Sequence, residues 1–261
     1  MAQDVPTESP DSANLGFGVD IGGSGVKGAV VDLATGELVG ERIKLLTPQP
    51  STPDAVAETV AQIVDQAGWT GPVGVTLPSV VTGGVARTAA NIDASWIGTD
   101  ARALFSRVLG DREVSVLNDA DAAGIAEDRF GAAKGTDGVV ILLTFGTGIG
   151  SAVLHNGVLL PNTEFGHMEV DGKEAEHRAA SSVKERKDLS YKQWAKEVSR
   201  VLERFEALLW PDLFIVGGGI SRKHEKWVPL LTNRTPVVPA ELRNAAGIVG
   251  AAYAAKTGVT P

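Results

Sequence analysis

One short pattern occurs twice in this chain: an apolar run, a cluster of glycines with hydroxyl residues, and a second apolar run. The first copy is Leu15 to Val19, then Asp20-Ile-Gly-Gly-Ser-Gly-Val-Lys27-Gly, then Ala29-Val-Val-Asp32. The second is Gly138-Val-Val-Ile-Leu-Leu143, then Thr144-Phe-Gly-Thr-Gly-Ile-Gly150, then Ser151-Ala-Val-Leu154. Both read as strand, tight turn, strand. Each predicts a hairpin whose tip exposes successive backbone N–H groups, and such clusters make concave anion sites. A dinucleotide-binding glycine loop fits poorly, because the glycines at 22–25 precede a strand and not a helix. Two facing hairpins can grip a row of phosphates from both sides, which points to phosphoryl transfer.

The rest of the chain must supply the layers around these hairpins. Short Val/Ile/Leu runs alternate with Ala-rich amphipathic stretches, the pattern of an α/β protein. Strands are predicted near 15–20, 26–32, 38–45, 73–77, 84–86, 114–117, 138–144, 150–155, 158–160 and 213–216. Helices are predicted near 53–67, 99–109, 120–130, 175–183, 190–209, 224–231 and 244–256. Ser51-Thr52 and Ser190 are candidate N-caps. Trp194, Val198, Val201, Leu202, Phe205 and Leu208 form one apolar stripe that should face a sheet. The expected boundary falls near Ala120, giving a small domain over 15–119 and a larger one over 120–243. The helix over 244–256 is expected to pack back on the first domain, and residues 1–14 to form a disordered tail.

Composition narrows the function classes. The 261 residues contain no cysteine, which removes disulfides, thiolate zinc sites and a cysteine nucleophile together. The start carries Asp4, Glu8 and Asp11 and no Lys or Arg before Lys27, unlike a secretory signal. No run approaches the roughly 18 apolar residues of a membrane span. A cytoplasmic protein without a membrane partner is expected. A net charge of −8 argues against nucleic acid as a partner. Residues 178–204 depart from that balance, with eight Lys or Arg (Arg178, Lys184, Arg186, Lys187, Lys192, Lys196, Arg200, Arg204) against four acids (Glu185, Asp188, Glu197, Glu203). This segment is either a solvated helix face or a track for a polyanion.

Four groups of residues carry the candidate chemistry. Asp20 ends an apolar strand, where a carboxylate needs a partner such as Mg²⁺ on a phosphate, reached directly or through water. Gly22, Gly23, Ser24, Gly25 and Lys27 of the first hairpin, with Thr144, Gly146, Thr147 and Gly148 of the second, are candidate phosphate donors. Val116-Leu-Asn118-Asp119-Ala-Asp121 joins a strand to a helix. Asp119 is either an N-cap or a general base for an attacking hydroxyl, with Asn118 orienting the same substrate. Glu164, His167 and Glu169 cluster after a turn, and suit sugar hydroxyls better than a metal, for want of a fourth ligand. Gly217, Gly218 and Gly219 after an apolar run either admit a flat ligand such as adenine or form a plain turn.

Asp20-Ile-Gly-Gly-Ser, Asn118-Asp119, Phe145-Gly-Thr-Gly-Ile-Gly150 with Asn156-Gly157, and Glu164-Phe-Gly-His167 together resemble the ROK sugar kinases of the actin/hexokinase superfamily. The resemblance runs from about Gly16 to Ala255. Thr88-Ala-Ala-Asn91-Ile-Asp-Ala-Ser-Trp96 is similar to that family's actinobacterial polyphosphate glucokinase branch. It implies two ribonuclease-H-like domains around a central cleft, and phosphorylation of glucose, and of mannose, at the 6-hydroxyl with polyphosphate or ATP and Mg²⁺. By the same resemblance Asp119 is the catalytic base. Asn118, Glu164, His167, Ser79, Asn91 and Glu176 would be the sugar ligands. A homodimer is usual for the family. Its cysteine-rich zinc loop is missing here, where the chain runs short at Val170-Asp-Gly-Lys-Glu-Ala, so no zinc is expected. Arg222, Lys223 and Lys226 would extend the basic track for a polyphosphate chain. The alternatives are an ATP-only hexose or N-acetylhexosamine kinase and an actin- or chaperone-like ATPase. A sugar-sensing regulator of the same fold would need a DNA-binding domain before the first strand.

Overall fold

The computed structural model describes residues 12–259; of the disordered tail expected over residues 1–14, residues 1–11 lie outside them, and the remaining three are ordered instead. Ser12–Asn14 forms a 3-10 turn, and the Asn14 carbonyl accepts from the Leu33 amide, which seats the entry to the first sheet. There β1 (Leu15–Gly22), β2 (Gly25–Asp32) and β3 (Glu37–Leu45) form an antiparallel meander. Helix α1 (Pro53–Gln66), β4 (Val73–Leu77), a small hairpin of β5 (Val81–Thr82) and β6 (Val85–Ala86), α2 (Ala101–Val108) and β7 (Val114–Asn118) follow. The sheet order is β3-β2-β1-β4-β7, with β1, β4 and β7 parallel.

The second half begins with α3 (Asp119–Phe130), then β8 (Val139–Phe145), β9 (Ile149–His155) and β10 (Val158–Leu160). A hairpin of β11 (Glu169–Val170) and β12 (Lys173–Glu174) leads to α4 (Ala175–Ala179), α5 (Ser181–Arg186) and α6 (Tyr191–Leu209). The chain closes with β13 (Leu213–Gly217), β14 (Val237–Pro239) and α7 (Ala246–Thr257). This sheet has the order β10-β9-β8-β13-β14, again three antiparallel strands extended by parallel ones. The same order therefore occurs twice, as an actin/hexokinase-like two-domain α/β fold requires.

Patterning explains the layers. Strands β4, β7 and β13 are buried at every residue, as expected of parallel strands covered on both faces. Helix α6 lays Trp194, Val198, Val201, Leu202 and Phe205 on the second sheet. Its start carries a full capping box of Ser190 and Gln193. Helix α7 lies on the first sheet so closely that a Cβ on Gly18 or Gly74 would meet the helix carbonyls of Ile248 and Ala251.

Three local expectations are corrected. The helix expected over 175–183 breaks at Ala180 (ψ 151°) into α4 and α5, because Ser181 and Ser182 turn to bind the second glycine hairpin. The helix expected over 224–231 is instead two 3-10 segments, Gly219–Lys226 and Val228–Leu230, the second containing Pro229, which has no amide to donate. Helix α1 has Thr52 as N-cap without a side-chain bond, while Ser51 Oγ accepts from the Asp93 amide.

Candidate active site

The first hairpin turns on two residues, Gly23 and Ser24, between the paired Gly22 and Gly25. Just below the tip, Asp20 faces Lys27 across the strands. The Lys27 ammonium lies 3.1 Å from Asp20 Oδ2, and Thr76 Oγ1 donates to Oδ1 at 3.0 Å. A Cβ on Gly247 would sit 2.9 Å from the same oxygen, so the carboxylate also abuts the first turn of α7, whose dipole favours negative charge. Asn91, at φ 62°, overhangs this tip, with its carbonyl 3.5 Å from the Cβ position of Gly23.

The second hairpin closes with Gly146, Thr147 and Gly148 between the paired Phe145 and Ile149. Its carbonyls are tied to α5: Gly146 O accepts from Ser181 Oγ (3.0 Å) and the Ser182 amide (3.1 Å), and Thr147 O from Ser182 Oγ (2.7 Å). A trans peptide points its N–H opposite to its C=O. The amides of Thr147 and Gly148 therefore face away from α5, as a phosphate donor pair would need. Below the tip, Thr144 pairs in register with Gly217 of β13. Gly218 (φ 80°) backs onto the Phe145 carbonyl, so its lack of a side chain serves that close approach. Nothing lies within 4 Å of a Cβ on Gly219.

Between the hairpins, β7 runs into α3. The N-cap is Asn118, whose Oδ1 accepts from the amides of Ala120 (2.8 Å) and Asp121 (3.3 Å). The capping role open to Asp119 is thus filled by its neighbour, while Asp119 Oδ1 accepts the Ala120 amide at 2.9 Å. Asp119 keeps an exposed surface at the start of α3, although its carboxyl is closely surrounded by protein atoms. Burial, then the negative charges of Asp20 and Glu164, push its carboxyl up to about 6.

Asn118 Nδ2 donates to Ser79 O at 3.1 Å and has a second hydrogen to offer. Ser79 is buried and spends its own hydroxyl hydrogen within its loop, toward Thr88 O (2.7 Å) and Val80 O (2.9 Å). On the opposite side, burial raises the Glu164 carboxyl above its ordinary value, against the pull of His167 and with the push of Glu176. His167 Nδ1 lies 3.5 Å from Glu174 Oε2, and ligand atoms of His167, Glu174 and Glu176 fall within 4.8 Å of one another. Glu174, passed over in the sequence, takes the place expected for Glu169. Glu176 Oε2 accepts the Ile149 amide at 3.4 Å, beneath the second hairpin.

The basic segment divides. Arg178 is buried, 2.6 Å from Glu197, and donates to Val170 O and Asp171 O, so it is a structural cation and not part of a surface track. Lys187, Lys196 and Arg200, with Lys173, line a concavity of about 440 Å³. Lys184 and Lys226 converge on the face of Tyr191, 4.5 and 5.9 Å from its centroid, with Lys184 one turn of α5 beyond the hairpin anchor. Thr76, Ser181 and Ser182 join the site from outside the motifs, and the Ser-Ser doublet after the Glu176 segment is the sequence signal for two of them.

A sequence profile of the ROK family matches residues 16–181. Over 245 residues the chain is 67% identical to the polyphosphate glucokinase of Mycobacterium tuberculosis, covering 94% of this chain and 92% of that protein. Its structure superposes with a TM-score of 0.88 on the inorganic polyphosphate/ATP-glucomannokinase of Arthrobacter sp. strain KM, at 48% identity, covering 94% of this chain and 99% of that one. A ROK family glucokinase from Streptomyces griseus, solved with glucose and AMPPNP, superposes with a TM-score of 0.80 at 25% identity, covering 94% and 100%. The paired hairpins, the Asn118-Asp119 junction and the Glu164–His167 segment all fall within the matched residues, and the chain belongs to the ROK family.

Proposed function

We propose that the protein phosphorylates glucose, and mannose likewise, at the 6-hydroxyl, with inorganic polyphosphate or ATP as donor. The observation that carries this reading is the position of Asp119. It is relieved of capping by Asn118, raised to about 6 by burial and by Asp20 and Glu164, and set between two amide-presenting hairpins. A base of that strength is substantially ionised at neutral pH and takes the hydroxyl proton as the oxygen–phosphorus bond forms and the bridging P–O bond breaks, releasing ADP or the shortened polyphosphate. Phosphoryl transfer otherwise asks for alignment and neutralised charge. The amides of Thr147 and Gly148 and the tip of the first hairpin supply these. Glu164, His167, Glu176 and the spare Asn118 N–H hold sugar hydroxyls, and Asn91 borders the sugar from its place over the first hairpin.

Asp20 suits Mg²⁺, which takes one or two carboxylates plus substrate phosphates and water. The hard oxygen of Asp20, close to the phosphate-binding tip, fits that habit. When bound, the ion would screen the charge of the phosphates. The high identity to a protein named polyphosphate glucokinase supports the donor. We assign the outgoing phosphates of a long chain to the path from the second hairpin along α5 toward Lys184 and Lys226.

The test is glucose phosphorylation at fixed Mg²⁺ with ATP or long-chain polyphosphate, beside a sugar-free control. Turnover with both donors is expected. ATP alone would make this an ATP-only hexose kinase, and donor hydrolysis indifferent to sugar would overturn the kinase reading.

A further inference from the structure

Asn162 has no part in the site so far, yet its side chain makes the two hydrogen bonds that join the domains nearest the chemistry. Its Oδ1 accepts the Val81 amide at 2.8 Å, and its Nδ2 donates to the Val81 carbonyl at 2.7 Å. A carboxamide thus imitates a strand edge, pairing with both backbone groups of one residue. Val81 is fully buried in the core of the first domain, two residues after Ser79. Asn162 sits two residues before Glu164, on the far wall.

Three further features show that this contact is built. Asn162 holds φ 59°, a left-handed conformation that asparagine tolerates better than most residues. Its own amide donates to Asp121 Oδ2 at 2.7 Å, and Asp121 is completely buried on α3, two residues after Asp119. The next residue, Thr163, is fixed to the second domain instead: Ser151 Oγ donates to its carbonyl at 2.7 Å and its hydroxyl lies 3.0 Å from Ser151 O. Asp121 has a cost, because its Oδ1 finds no hydrogen-bond partner among the described residues, and a buried carboxylate oxygen left unpaired is unfavourable. Packing alone would favour a neutral residue there.

Asp119 is therefore flanked by two residues that each reach the loop at 79–81. Asn118 does so directly, through Ser79 O. Asp121 does so through Asn162 and Val81. We propose that Asn162, oriented by Asp121, is a positioning residue that clasps the Glu164 loop of one domain to the 79–81 loop of the other, so that the sugar pocket is set before the sugar arrives. Without the clasp the pocket is assembled only in a fraction of molecules, and apparent affinity falls by that fraction. Once sugar is bound, the loops are ordered by it, so turnover is spared. The glycine hairpins take no part, so the donor is bound as before.

This inference rests on the sugar-kinase reading. The variant to make is Asn162→Gly, which keeps the left-handed backbone and removes only the carboxamide. Its Michaelis constant for glucose, and its donor-free glucose dissociation constant by calorimetry, should rise about tenfold, the worth of one or two hydrogen bonds. Turnover should change less than about threefold, and the Michaelis constant for polyphosphate should stay put. Asp121→Ala should reproduce this split, and Asp121→Asn, which still accepts the Asn162 amide, should restore most of the affinity. An active Asn162→Gly enzyme with unchanged glucose affinity, or with sugar and donor constants raised together, would overturn the clasp. A wild-type protein that phosphorylates no sugar would instead overturn the reading on which it rests.

Discussion

The two glycine hairpins share a topology, a place in their sheets and a glycine-rich tip, but they are held by different forces. The first is organised by charge. Asp20 is flanked by Lys27, Thr76 and the start of α7, and beside its strand pairing the tip is held where the Thr47 hydroxyl donates to the Gly22 carbonyl. The second carries no charged residue from Thr144 to Gly150. It is organised by neutral hydrogen bonds that pin its carbonyls to Ser181 and Ser182 and turn its amides the other way. The difference teaches a division of labour. On the proposed reading, one hairpin would offer a carboxylate to a metal–phosphate complex, and the other an oriented pair of amides to bare phosphate oxygens.

The comparison can be broken in stages. The largest effect should come from Asp119, which stands between the hairpins. Asp119→Asn is expected to lower turnover by about 10³-fold while calorimetry still finds glucose bound; turnover within a few fold of wild type would remove Asp119 as the base. Next comes the charged hairpin. Asp20→Asn should cost about 10²-fold in turnover and raise the Mg²⁺ concentration needed for half-maximal rate, since it removes the proposed carboxylate ligand. The neutral hairpin should respond otherwise. Ser181→Ala with Ser182→Ala should raise the donor Michaelis constant about tenfold, at unchanged Mg²⁺ dependence. If both variants shift the Mg²⁺ requirement alike, the contrast between the hairpins is wrong.

Charge reaches Asp119 from both Asp20 and Glu164, and of the two hairpins only the first contributes. The acid limb of kcat/KM for glucose should fall with unit slope below about pH 6, because protonating Asp119 removes the base. Asp20 helps hold that value up, so the residual activity of Asp20→Asn should carry its limb to lower pH. The Ser181/Ser182 variant should leave the limb where it is. The smallest effect concerns the far end of the donor. Neutralising Lys184, Arg186 and Lys187 should raise the Michaelis constant for long polyphosphate several-fold, more at low salt, and spare ATP; equal changes for both donors would return these residues to a solvated face.

What the sequence made legible was local. Each hairpin is written within a dozen consecutive residues, and the strand-to-helix junction at Asn118-Asp119 needs no distant partner to be recognised. The duplicated sheet follows from those hairpins once the parallel strands Val73–Leu77 and Leu213–Gly217 are placed beside them. What stayed hidden was decided by pairs far apart in the chain. Arg178 reads as one more surface cation until Glu197 and the Val170 carbonyl enclose it. The break at Ala180 cannot be foreseen from helix propensity, because Ser181 and Ser182 are recruited by a turn near residue 146. Asn162 looks like any loop asparagine, and only the approach of Val81 gives its carboxamide a purpose. Which of Asn118 and Asp119 caps α3 is hidden for a related reason: Asn and Asp cap equally well, and the choice depends on where the strand ends.

The seating of α7 on Gly18 and Gly74 has a consequence for the order in which the protein takes shape. The first sheet leaves the ribosome early, but the helix that covers one of its faces is made after the whole second domain. Until α7 arrives, the face that carries Ala29, Val31 and Leu117 lies open, and its glycine notches at Gly18 and Gly74 hold nothing. The half synthesised first is thus completed last. Its assembly requires the two ends of the described chain to meet, a pairing of high contact order that slows folding. During that interval the second domain, with its core enclosed by its own α6, can stand as a finished surface against which the first is closed.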